Sequence, residues 1–126
     1  MRIRLIAAIC LLVFALGAAL GFAAFLEHAA KELETALTTA LEDALTESPG
    51  WETATQEVTR LWARDKGLMH VLLPHVNLNE LEWALGTLPE YQREQEATLY
   101  VEQCVRGIQC IRTIREMERP TIGNIF

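Results

Sequence analysis

The stretch LIAAICLLVFALGAALGFAAFL, Leu5–Leu26, contains 22 residues without a charge or a strongly polar side chain. As a helix it reaches roughly 33 Å, slightly more than the hydrocarbon core of a bilayer. A secretory signal needs only about 7–15 apolar residues and a small-residue cleavage site. Leu5–Leu16 followed by Gly21-Phe22-Ala23 meets that description. Against cleavage, Leu20, Phe22, Phe25 and Leu26 keep the run apolar past the site. The helical pattern then continues into Lys31-Glu32-Leu33 and leaves no extended segment for a peptidase. These residues favour an uncleaved signal anchor over residues 1–26, with residues 27–126 forming one domain.

The flanks set the orientation. Arg2 and Arg4 precede the run, whereas Glu27 follows it and the first base on that side is Lys31. The positive-inside bias keeps the N-terminus in the cytoplasm and places the acidic helical domain outside the cytoplasm, on a single-pass protein of the cell membrane. Beyond the run, nine Lys or Arg face 17 Asp or Glu, and eight of the acids precede Arg60. Such a surface repels a phosphate backbone, which argues against nucleic acid as a partner.

Within the span, Gly17 and Gly21 form a G-x-x-x-G, continued by Ala24. This face would let two copies approach closely enough to make a homodimer through the membrane helix. Residues 27–47 extend the helix: Leu33, Leu37, Leu41 and Leu45 recur every four residues, and no breaker appears before Pro49. Ser48 as N-cap, with Pro49 at the first helical position, starts a second helix that Pro74 ends. Asn77 or Asn79 can cap a third, which Pro89 cuts or kinks, and a fourth runs from about Glu90 to Glu118. No segment shows period-two alternation. The expected class is all-α: an N-terminal transmembrane helix continuing into a small antiparallel bundle of about four helices.

Chemistry-bearing patterns are sparse. Cys10 lies in the apolar run. Cys104 and Cys110 point about 120° apart on one helix, so a disulfide between them would break it. His70 and His75 are five apart across a proline, which is not the i, i+4 spacing of a zinc helix. His75 reads as a capping or hydrogen-bonding residue, and Ser48, the only serine, as a cap rather than a nucleophile. No paired carboxylates, phosphate loop or cofactor fingerprint occurs, so neither enzyme activity nor a cofactor or metal is expected. Gly107, isolated in the fourth helix, marks close helix packing. Trp51 and Trp62, three turns apart, read as core anchors. Trp83, between Leu81 and Leu85, is the best candidate for an outward contact surface.

One membrane helix, an acidic helix and two tryptophans three turns apart resemble a family of small bacterial proteins, domain of unknown function 4363. PHVNLNELEWALGTLPEY and the closing IGNIF carry the similarity further, with Asn77, Asn79 and Pro89 as departures. The resemblance implies a single-pass membrane protein that accompanies multi-pass membrane proteins in spore-forming bacteria. The expectation is therefore a non-enzymatic, membrane-anchored interaction module. It would contact membrane lipid and dock a membrane or envelope protein through Trp83 or through the acidic stripe. The alternative is a cleaved, secreted or periplasmic chaperone-like helical protein.

Overall fold

The computed structural model describes residues 1–73 and 75–118. The chain forms α1 (Arg2–Leu45), α2 (Trp51–Leu72), α3 (His75–Arg93) and α4 (Ala97–Glu118), with no strand among the described residues. The all-α class and the long apolar helix leading into a helical bundle are as the sequence implies. Everything from Arg119 onward, including the closing IGNIF, together with Pro74 and the side chain of His75, lies outside the described residues.

α1 has 44 residues, about 66 Å of uninterrupted helix. Residues 2–21 are exposed, Phe22 and Phe25 are half-buried against the core, and Leu26 is the first fully buried residue. From there Leu26, Ala30, Leu33, Leu37, Ala40 and Ala44 are buried. Steps of four and three alternate, so this is a heptad seam facing its neighbours. The leucine ladder read from sequence behaves differently. A step of four overshoots one turn by about 40°, so the ladder spirals around the helix. Leu41 is consequently half-buried and Leu45 is 64% exposed, while Ala40 and Ala44 take the core positions.

α1 packs against α2 and α4, and α3 packs against the same two. The diagonal pairs do not meet among the described residues. Short connections make neighbours antiparallel, giving an up-and-down square of four helices. Gly107 lets α4 into the centre: a Cβ there would lie 3.2 Å from Leu37 Cδ1 and 3.6 Å from Leu85 Cδ2.

Two turns depart from the sequence reading. α2 begins at Trp51 with Gly50 before it, so Ser48 is not its N-cap and Pro49 is not its first residue. Ser48 is instead committed to closing α1. Its N–H reaches the Asp43 carbonyl at 2.9 Å, while the Glu47 N–H reaches Ala44 at 3.3 Å. With Glu47 at φ 54° this is a Schellman closure. The Ser48 hydroxyl accepts the Gly50 N–H at 3.2 Å and steadies the turn. α3 likewise starts at His75, ahead of both Asn77 and Asn79, because only two residues connect it to α2.

Pro89 does not divide α3 from α4; it lies inside α3. Proline deprives the Leu85 carbonyl of its usual donor. Leu88 before it is fully buried and Tyr91 after it packs on the core, so tertiary contacts on both sides carry the helix across. The break falls at Gln95, φ 57°, where the Glu96 N–H bonds Tyr91 at 2.9 Å and the Gln95 N–H bonds Gln92 at 3.2 Å. A left-handed non-glycine residue is unfavourable. Gln95→Gly is therefore expected to raise stability by about 0.5–1 kcal/mol, after the loss of chain entropy specific to glycine. Urea titration checks this; a destabilised variant would refute the Schellman assignment.

Candidate interaction surfaces

The tryptophans separate by environment. Trp62 is 7% exposed in the core, Trp51 is half-buried, and Trp83 on α3 is 65% exposed. Trp51 meets Tyr100 of α4 edge-on with ring centroids 5.1 Å apart. The buried Thr55 hydroxyl donates to the Trp51 carbonyl at 2.6 Å. Its single proton thus used, it accepts the hydrogen bond from the Tyr100 hydroxyl. These contacts tie the end of the bundle remote from the apolar half of α1.

Burial pushes the Tyr100 phenol and the Cys104 thiol each up to about 12. Both groups are neutral when folded and ionise more easily when unfolded. Their contribution to stability is complete below about pH 9 and is lost as pH rises toward about 12. An alkaline decline in the urea midpoint is the expected result, and Tyr100→Phe should flatten the part of it above pH 10.

The acidic stripe of α1 divides into two halves. Near the apolar segment it is neutralised within the molecule. Arg115 of α4 makes a two-pronged contact with Glu27 and reaches Glu34 at 2.7 Å, and Arg112 also holds Glu34 at 2.7 Å. Across the bundle, Arg64 of α2 bonds Glu32 and the buried Asp65, each at 2.9 Å, and His28 lies 3.0 Å from Glu32. Hydrogen bonds to Asp65 and Glu32 hold the Arg64 guanidinium firmly in its charged form. At the remote end, Glu42, Glu47, Glu52, Glu94 and Glu96 are exposed. A partner reading acidity meets that end, not the whole stripe.

The arginine clamps are the feature that sequence reading missed. Glu27 and Glu34 are seven apart and Arg112 and Arg115 three apart, spacings that put each pair on one helix face. Only the α1–α4 adjacency shows that these faces meet.

Open grooves run between α1 and α2, past Lys31, Thr35 and Leu61, and between α2 and α3, past Thr59, Pro89 and Gln92. No group of three or more His, Cys, Asp or Glu able to hold a metal occurs among the described residues. His70 pairs with Glu82 at 3.4 Å across α2 and α3. The three cysteines are free: Cys10 exposed, Cys110 half-buried and Cys104 buried. Gln103 carries a buried side-chain oxygen without a partner.

The apolar half of α1 is exposed along its whole length. Its most apolar window has a mean hydropathy of 2.7 and none of it is buried. By length and composition this one helix can cross a membrane. Gly17 and Gly21 lie on it with open space beyond both.

A family described as a domain of unknown function, DUF4363, matches residues 21–125. No curated protein and no solved structure matches the chain.

Proposed function

This chain belongs to the DUF4363 family, and from its structure we propose that it is a non-enzymatic, membrane-anchored helical interaction module. One observation carries the reading: a single helix is apolar and exposed over its first half and becomes the first element of the bundle over its second. Among the described residues no other element covers the first half, and a bilayer supplies the apolar surroundings that such a face needs. Arg2 and Arg4 keep the N-terminus cytoplasmic in this reading and put the bundle outside the cytoplasm. Trp83 is the contact for a membrane or envelope protein, and Gly17 and Gly21 offer a second copy a close approach in the membrane.

A cleaved, soluble chaperone-like form is the second reading. It draws on the absence of burial before Phe22, since removal of the preceding turns would leave the core whole. Carbonate washing of membranes, followed by N-terminal sequencing, decides between the two. The anchored reading expects the full chain in the pellet, starting at Met1 or Arg2. A soluble form beginning near Ala24 would overturn it.

Trp83→Ala tests the docking face. Because the ring is mostly in solvent, the expected change in unfolding free energy is within about 0.5 kcal/mol. Cross-linking to a membrane neighbour should nevertheless fall. A loss of several kcal/mol would make Trp83 a core residue instead.

A further inference from the structure

We propose that the bundle does not stand clear of the bilayer. Its end nearest the apolar half of α1 is seated in the headgroup layer, with Val71 and Leu68 of α2 immersed among lipid headgroups. The proposal rests on the membrane-anchored reading and adds a lipid-contacting surface on the folded domain.

The ion pairs between helices fix the levels. Arg64 of α2 meets Glu32 of α1, and the two helices run in opposite directions. Val71 is seven residues beyond Arg64, which brings it to about the level of residue 25 in α1. On the other side Arg115 of α4 meets Glu27, and Met117, two residues further, also reaches about that level. On α2 the apolar side chains at this level are open to solvent: Val71 is 79% exposed and Leu68 47%. The same turn of α1 carries Phe22 and Phe25, which are half-buried against the core.

The bundle therefore reaches down alongside the uncharged stretch. A bilayer core of about 30 Å holds roughly 20 helical residues. Counted from Leu5, just past the Arg4 flank, it ends near Ala24. Val71 then lies within a few ångströms of the hydrocarbon edge, and Leu68, about 4.5 Å higher, lies in the headgroups. Charge agrees with this placement. On α1, Glu27, Glu32 and Glu34 at this end are paired with Arg64, Arg112 and Arg115, leaving Glu80 and Glu116 exposed nearby, whereas Glu42, Glu47, Glu52, Glu94 and Glu96 are all exposed at the remote end, which an anionic lipid surface would repel more strongly.

The test uses the full chain in two sets of phosphatidylcholine–phosphatidylglycerol vesicles, one with acyl chains brominated close to the headgroup, which reads Val71→Trp and Leu68→Trp, and one with acyl chains brominated near the chain end, which reads Phe14→Trp. Val71→Trp adds a reporter at the proposed seat, Leu68→Trp adds one a turn higher, and Phe14→Trp adds one in mid-span. The native Trp51, Trp62 and Trp83 supply the baseline. Brominated lipid is expected to remove about half or more of the emission added by Val71→Trp, and a smaller share of that added by Leu68→Trp. Quenching of Phe14→Trp alone overturns the seating and leaves the anchor standing. If Phe14→Trp is not quenched, the anchored reading fails and the seating with it. A Val71→Trp emission that ignores brominated lipid but shifts blue as protein density rises would assign the patch to a second copy and also overturn the proposal. Should Val71→Trp not fold, Leu68→Trp decides: quenching supports the seat and its absence rejects it.

Discussion

Leu37→Ala is expected to lower the unfolding free energy by about 3–5 kcal/mol, the cost of a large cavity that cannot collapse. Leu37 has no exposed surface, and its Cδ1 faces the bare backbone of Gly107. No side chain on α4 can swing into the vacated space from that position. The same geometry makes the effect of Gly107 conditional. In the wild type a methyl at 107 would crowd Leu37 at 3.2 Å, so Gly107→Ala sets that contact against a gain in helix propensity of about 1 kcal/mol. In the Leu37→Ala background the contact is gone and the gain remains. A double-mutant cycle followed by urea titration should give a favourable coupling of about 1–2 kcal/mol. Additive effects would mean that α1 and α4 do not meet at these residues.

Arg115→Ala should cost about 2 kcal/mol, allowing for screening at the half-exposed Glu27. The guanidinium is only 22% exposed and bridges two carboxylates of α1, of which Glu34 is 16% exposed. Its loss leaves Glu34 with Arg112 alone and Glu27 without its two-pronged partner. Arg115→Glu should cost more, about 3 kcal/mol, by placing a third carboxylate among the first two. Adding Glu27→Arg to that variant should recover about 1 kcal/mol or more. Failure of this charge swap would show that Arg115 acts by packing its alkyl stem rather than by charge. The clamp joins the last turn of α4 to the base of the apolar half of α1, so the variants should also loosen that end first in hydrogen exchange.

Much of the architecture is legible in local chemistry. The uncharged run, the Leu- and Ala-rich continuation and the lack of a breaker before Pro49 specify one long helix, and α1 is that helix. Tyr100, Cys104, Ile108, Ile111 and Ile114 recur at helical spacing and are all buried in α4. Helix ends are less legible. Pro89 is the strongest breaker in its neighbourhood, yet burial of Leu88 and packing of Tyr91 hold the helix through it. Gln95, with no intrinsic turn signal, makes the actual break because the chain must reverse there for Tyr100 to reach Thr55. Ser48 carries a genuine capping propensity but serves the turn that closes α1. Local signals of this kind are worth about 1 kcal/mol, and burial of several large side chains outweighs them.

The sequence alone determined the fold class, the number of helices, one helix able to cross a membrane and the core status of Trp62. All of these follow from residue type and spacing along a single helix. Only the tertiary structure decided which acids are neutralised, where α3 ends, that Trp83 is open to solvent, and that Val71 and Met117 lie level with Phe25. Those depend on which helix faces stand side by side, and contacts between residues some thirty to ninety positions apart leave no periodic trace in the chain.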